Sequence, residues 1–243
     1  MSSEPVKPYT ETGSKKQQVS KMFDNIAGHY DFLNHFLSLG IDKIWRRRMV
    51  EKLQDEQPRR VLDVATGTAD SAIAIAKKLP EAKIIGVDIS PKMLAVGRVK
   101  IETLKLNERI ELFDGDSENL QFADSSFDAV VVAFGVRNYE NLQKGLQEMC
   151  RVLKPGGKLV VLEFSKPTIF PFKQLFDIYF KYILPLIGRI TSKDGRAYNY
   201  LYESVQAFPN GKAFEAELLS AGFKSTQCEP LTLGICSLYS GRK

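Results

Sequence analysis

Between residues 61 and 164, five short apolar runs alternate with stretches whose apolar residues recur every three or four positions. The runs are VLDV (61–64), KIIGVDI (83–89), RIELFDGD (109–116), FDAVVVAFG (127–135) and KLVVLEF (158–164), and helical stretches lie at 71–79, 91–106 and 141–153. A strand that is apolar at nearly every position has no face to give to water, so helices must cover it on both sides. The pattern predicts an α/β fold around a largely parallel sheet. The turn KPGGK (154–158) predicts a helix stop before the fifth strand. A further helix is expected over 211–221, and FKSTQCEPLTLGICSLYSGRK (223–243) reads as two strands turning near 229–234.

Two segments depart from this alternation. Residues 1–19 hold almost no aliphatic side chains and predict a flexible tail, leaving 20–243 as a single domain. Within it, 20–57 forms a helical cap. There Phe23, Ile26, Tyr30, Leu33 and Leu37, then Ile44, Trp45, Met49 and Leu53, predict two amphipathic helices broken near 38–40. Residues 166–205 are aromatic-rich, carry Pro167, Pro171 and Pro185, and predict a helical insertion. From Phe170 to Leu184 its apolar residues crowd nearly every side of a short helix. An apolar groove or membrane-facing lid accounts for this, and so does packing on the core or on a second copy in a homodimer.

Composition removes several classes of function. Hydrophobic residues make up 44% of the 243-residue chain, enough for a core without disulfides or metal. The three cysteines form no C-x-x-C pair and the two histidines lie far from them, so no metal site and reduced cytosolic thiols are expected. Neither a signal-peptide core nor a membrane-spanning run is visible, which predicts a cytoplasmic protein. Of the net charge of +5, a surplus of three lies between residues 42 and 60, which include Arg46, Arg47 and Arg48. That surplus predicts peripheral contact with the anionic inner face of a membrane. Nucleic acid is not expected as a partner, because the aromatics gather in the insertion and do not interleave with basic residues along a groove.

The first strand runs into LDVATGTADS (62–71), a glycine turn that aims backbone N–H groups and a helix N-terminus at a ligand. Only Gly67 is present where a dinucleotide site calls for G-x-G-x-x-G, and no Walker loop follows. A cofactor with a nucleoside and a small carboxylate, with no phosphates, fits one close-approach glycine, and S-adenosylmethionine is such a molecule. Asp88 ends the second strand where an acidic side chain accepts from ribose hydroxyls, while Asp116 and Ser117 follow the third strand beside the expected adenine edge. Asp63 has two readings, a turn cap or a ligand contact. Ser90 before Pro91 already caps the next helix, which frees Asp88 for a ligand.

The segments FDNIAGHYDFLNHFLSLGIDKIWRR, LDVATGTAD, FGVRN, RVLKPGGKLVVLEFSKP and YNYLYESVQAFP, in this order, resemble the quinone-biosynthesis C-methyltransferases of the menaquinone and ubiquinone pathways. LDVATGTAD and KPGG point to class I methyltransferases at large, while FGVRN and LEFSKP are more specific. The resemblance implies a Rossmann-like seven-stranded sheet with one antiparallel strand, in line with the five runs plus two. It implies S-adenosylmethionine as methyl donor, held at Thr68, Asp88, Asp116 and Ser117, and a prenylated quinol as substrate, with demethylmenaquinol favoured over a ubiquinone precursor. Ala133 stands where some relatives carry a serine. Arg137 and Asn138 of FGVRN are candidates to hold the ring oxygen or an activating water, and Tyr30 or His29 to close over the ring. A salt bridge to Glu140 or Glu163 is the structural alternative for Arg137. Tyr198, Tyr200 and Tyr202 are expected along the same cavity, and Glu203 and Ser204 near the second quinol oxygen. An RNA-binding methylase and a non-catalytic adaptor remain as readings from other classes.

Overall fold

A computed structural model describes residues 6–9, 11–38, 40–183 and 196–243. Its sheet has seven strands: β1 (Arg60–Val64), β2 (Lys83–Asp88), β3 (Ile110–Asp114), β4 (Phe127–Ala133), β5 (Leu153–Phe164), β6 (Lys224–Leu231) and β7 (Cys236–Arg242). Their spatial order is β3-β2-β1-β4-β5-β7-β6. Neighbours from β3 to β5 pair in parallel, and β7 runs antiparallel to both β5 and β6. The expected fold class is met.

Nine α-helices are described: α1 (Lys15–Ile26), α2 (Tyr30–Leu37), α3 (Ile41–Gln54), α4 (Asp70–Lys78), α5 (Pro91–Thr103), α6 (Leu142–Val152), α7 (Phe172–Ile178), α8 (Arg196–Ala207) and α9 (Lys212–Ser220). Trp45, Met49 and Leu53 of α3 and Ile75 of α4 pack with Val61, Ala129 and Val131 on one face. Leu146 and Met149 of α6 and Phe214 and Leu218 of α9 pack with Leu62, Val130 and Val132 on the other. Alternate residues of β1 and β4 thus enter opposite cores, which is why VLDV and AVVV carry no polar face. Ser90 caps α5 by accepting from Met93 N, with Pro91 in the first helical position.

Several boundaries differ from those expected. The chain is helical from Lys15, inside the segment expected to be a flexible tail through residue 19. Ser14 and Gln17 form a reciprocal capping box there. Lys15 and Gln18 are buried through polar bonds, a mode of anchoring that leaves no apolar periodicity to read. The cap contains three helices, joined by a short 3₁₀ turn at Ala27–His29 and by Gly40. KPGG does not end α6. Leu153 is already extended, and the strand register jumps from Phe127↔Leu153 to Ala129↔Lys158 across the glycines.

The insertion begins with α7 and a π-helical turn at Tyr179–Ile183. Leu184 and Pro185 lie outside the described residues. Phe176, Phe180, Tyr198 and Tyr200 form a third apolar cluster with Val19 and Met22 of α1. Ile169, Phe170, Leu175, Ile178 and Tyr182 stay exposed, Phe170 at 77%. The three consecutive arginines of α3 do not share one surface: Arg46 is buried against Asp42, Arg47 pairs with Glu51, and Arg48 bridges Glu51 and Glu229. Among the described residues no helix is long and apolar enough to cross a membrane.

Candidate active site

The parallel strand order reverses between β1 and β4, and a cavity opens beyond their carboxyl ends, where α/β sheets hold ligands. It lies under α1 and opens to solvent, with about 650 Å³ of atom-free space counting its mouth. Gly67, Asp88, Asp116, Ser117, Asn138 and Tyr30 all line it. Gly67 has φ +56°, a conformation that favours glycine, and its N–H donates to Asp88 Oδ2 at 2.8 Å. Asp88 Oδ1 accepts from Ser90 N at 2.9 Å. Burial pushes the Asp88 carboxyl up to about 6, against these two bonds. Asp116 takes an ion pair from Lys16 of α1 at 2.6 Å, and Lys16 reaches Glu118 at 3.3 Å.

Thr68 is not where it was expected. Its hydroxyl donates to Asp31 of α2, Lys100 Nζ approaches at 3.3 Å, and it lines neither cavity. The glycine turn therefore meets the cavity through Gly67, while Thr68 ties the turn to α2 and α5. Asp63 likewise faces inward, accepting from Thr66 Oγ1 at 2.6 Å, and burial pushes its carboxyl up to about 7. Of its two readings the cap is the one seen.

A second, larger cavity lies between the helical cap and the insertion, with about 1850 Å³ of atom-free space counting its opening to solvent. Trp45, Phe164, Phe176, Phe180 and Tyr200 are among its mainly apolar lining, and Arg137 is the one charged residue there among the described residues. Phe23, Tyr30 and Phe134 line both cavities and form the wall between them. Arg137 Nη1 donates to Glu163 Oε1 at 2.8 Å and to the Phe134 carbonyl, and the guanidinium lies over the Phe164 ring. Glu163, fully buried, also accepts from Arg137 N at 3.3 Å. The Glu163 bridge is present, and it aims Arg137 along the cavity wall. Phe134 carries φ +60°, an uncommon backbone state for a bulky residue. That turn points its carbonyl toward Arg137 and also toward Asn138 Nδ2 at 3.4 Å.

Arg137, Asn138 and Tyr30 are thus brought to one wall but not to one side of it. Asn138 faces the first cavity, Arg137 the second, and Tyr30 both. Burial pushes the Tyr30 hydroxyl up to about 12 with Arg137 and Arg46 opposing, so Tyr30 stays protonated near neutrality. His29 is exposed and Glu203 is exposed, and neither lines a cavity. Ser204 is buried with its hydroxyl on Leu201 O at 3.0 Å, away from both. Tyr198 and Tyr200 line the second cavity, and Tyr202 packs nearby without lining it. Composition hid two further contributors. Lys15 Nζ donates to the carbonyls of Arg137 at 3.0 Å and Tyr139 at 2.8 Å, and Lys16 closes over Asp116.

The residues of the first cavity suit S-adenosylmethionine. Asn138 Oδ1 is a buried acceptor with no donor among the described residues, and a hydroxyl or amino group of a ligand would satisfy it. Asp88 and Asp116 offer acceptors for ribose hydroxyls and an amino edge.

Comparison with known proteins agrees with this architecture. A demethylmenaquinone methyltransferase of Bacteroides fragilis is 49% identical over 240 residues, covering 99% of this chain and 98% of that protein. A ubiquinone/menaquinone biosynthesis C-methyltransferase UbiE of Geotalea daltonii is 47% identical over 230 residues, covering 94% and 97%. The solved structure of a SAM-dependent methyltransferase from Thermotoga maritima shares the fold at TM-score 0.64 and 20% identity, covering 92% of this chain and 99% of that one. The sequence profile of the ubiE/COQ5 methyltransferase family matches residues 11–243, and the chain belongs to that family.

Proposed function

We propose that this enzyme transfers a methyl group from S-adenosylmethionine to a ring carbon of demethylmenaquinol, giving menaquinol. One observation carries the reading: a large, mainly apolar cavity, with Arg137 its one charged residue among those described, shares a wall with the strand-end cavity. A prenyl chain needs apolar surface and a quinol ring needs a polar anchor beside it. Bound in the first cavity, S-adenosylmethionine supplies an electrophilic methyl.

The protein's work is then positioning and charge control. Tyr30 and Phe134 hold the ring at the shared wall. Arg137 stabilises phenolate charge as the ring hydroxyl gives up its proton, although a guanidinium is no base at neutral pH. The neighbouring carbon takes the methyl, and its hydrogen leaves as a proton to restore the aromatic ring. No step in this sequence calls for a metal. A benzoquinol precursor of ubiquinone is the second reading, favoured by the name of the Geotalea daltonii relative.

The exposed apolar residues of α7 and its flanks extend from Phe172 and Leu175, which also line the large cavity. That continuity supports peripheral contact with a membrane, where a prenylated substrate resides. The quinone content of a deletion strain tests the substrate: accumulation of demethylmenaquinone is expected, and accumulation of a demethylated ubiquinone precursor would favour the second reading.

A further inference from the structure

Three residues that line the substrate cavity carry a buried donor with no acceptor among the described residues: Asn34 through Nδ2, Arg137 through Nε and Tyr200 through its hydroxyl, of which the last two lie on elements packed against each other. Tyr200, 2% exposed, lines the cavity, and its hydroxyl has no hydrogen-bond partner among the described residues. Arg137 Nε, on the same cavity, is also buried without a partner. Helix α8 packs against the turn at Val136–Asn138, and the Tyr200 hydroxyl feels the charges of both Arg137 and Glu163. Burying a hydroxyl with no partner costs stability, so one retained beside a mainly apolar cavity calls for an acceptor that arrives with the ligand.

Arg137 alone makes a weak anchor for an oxyanion. Its charge is already offset by Glu163 at 2.8 Å, which is fully buried. A second donor without a counter-ion removes that shortfall, because a neutral hydroxyl brings no opposing charge to the developing phenolate. We infer that Tyr200 is a substrate-binding residue whose hydroxyl donates to the ring oxygen next to the methylated carbon, forming with Arg137 Nε a two-donor cradle for that oxygen. This deepens, and rests on, the quinol reading above. Burial raises Tyr200 above the ordinary tyrosine value, so the hydroxyl keeps its proton and acts as a donor, never as the base. The proton of the ring hydroxyl leaves to solvent, and Tyr200 is unchanged over the cycle.

The test uses the full-length protein, S-adenosylmethionine and two probes. One is a short-chain demethylmenaquinol, and the other a prenylated naphthol keeping only the hydroxyl next to the acceptor carbon. Tyr200→Phe removes one oxygen and leaves the ring packing in place. The pKa of the bound naphthol, read by ultraviolet absorption, is expected to rise by about one unit. Turnover of the quinol should fall on the order of tenfold to hundredfold, with S-adenosylmethionine affinity unchanged. Tyr202→Phe, on the same helix but outside the cavity lining, should match the wild type in both readouts. Lower turnover with an unmoved naphthol pKa would overturn the inference, since a purely structural hydroxyl gives that result. Wild-type values for Tyr200→Phe in both readouts would overturn it too, while the quinol reading stood. If the wild-type protein methylates neither probe, the quinol reading itself falls, and the cradle with it.

Discussion

Asp88 carries two demands that pull in opposite directions. As the proposed charged acceptor for ribose hydroxyls its carboxyl has to be ionised, yet burial favours the protonated form and brings its pKa to about 6. As pH falls through that value the acceptor is lost, so S-adenosylmethionine affinity should be flat above about pH 7 and decline below about pH 6. Calorimetric titration across this range checks the sign. Asp88→Ala should weaken binding by more than about tenfold and abolish the pH dependence, since a buried hydroxyl pair then lacks its charged acceptor. Asp88 was legible in the sequence because its position at the end of a strand fixes where it points. Thr68 was not. Whether its hydroxyl turns to a ligand or away depends on Asp31, 37 positions earlier, and on Lys100 across the fold. Tyr200 was visible as a cavity residue, but its unpartnered hydroxyl exists only once α8 is packed.

Helix α1 shows what hydrophobic periodicity misses at the level of an element. It docks over the cofactor cavity with Val19 and Met22, but its first turn is held by Lys15 and Lys16, which read as tail composition in the chain. Burial brings the Lys15 amine down to about 8, so it remains mostly charged at neutrality while donating to the carbonyls of Arg137 and Tyr139. Lys15→Met leaves both carbonyls without their donor and should loosen α1 while sparing the sheet. Cofactor release is expected to speed up by about tenfold, which corresponds to ~1.4 kcal/mol and is less than two charge-assisted hydrogen bonds can contribute. Stopped-flow release should detect the change, and hydrogen exchange should place the lost protection in residues 15–26. Equal protection in wild type and variant would mean that apolar contacts alone hold the helix. The central strands β1, β2 and β4, by contrast, were legible to within about two residues at each end, because burial on both faces leaves a nearly continuous apolar run, whereas β5 begins at Leu153 and not at Lys158.

For the molecule as a whole, a largely parallel sheet with a core on each face follows from patterns in the chain, while the order of its strands and the division into two cavities do not. Phe23, Tyr30 and Phe134 meet at the shared wall from three separate places in the sequence. The surface charge changed its meaning in the same way. The arginine run of α3 is spent on Asp42, Glu51 and Glu229, and the proposal of membrane contact rests instead on the exposed apolar side chains around α7. Phe170→Ser with Ile178→Ser should therefore reduce cosedimentation with anionic liposomes by at least about tenfold, since inserting even one large side chain is worth ~1.5–3 kcal/mol. Unchanged cosedimentation would return that patch to another role. The central claim is that the paired cavities methylate a quinol carbon, and it is tested most directly by incubating the protein with methyl-labelled S-adenosylmethionine and either demethylmenaquinol or total RNA. The label should appear on the quinol ring carbon beside the prenyl-bearing position. Label in RNA, or on a quinol oxygen, would contradict it.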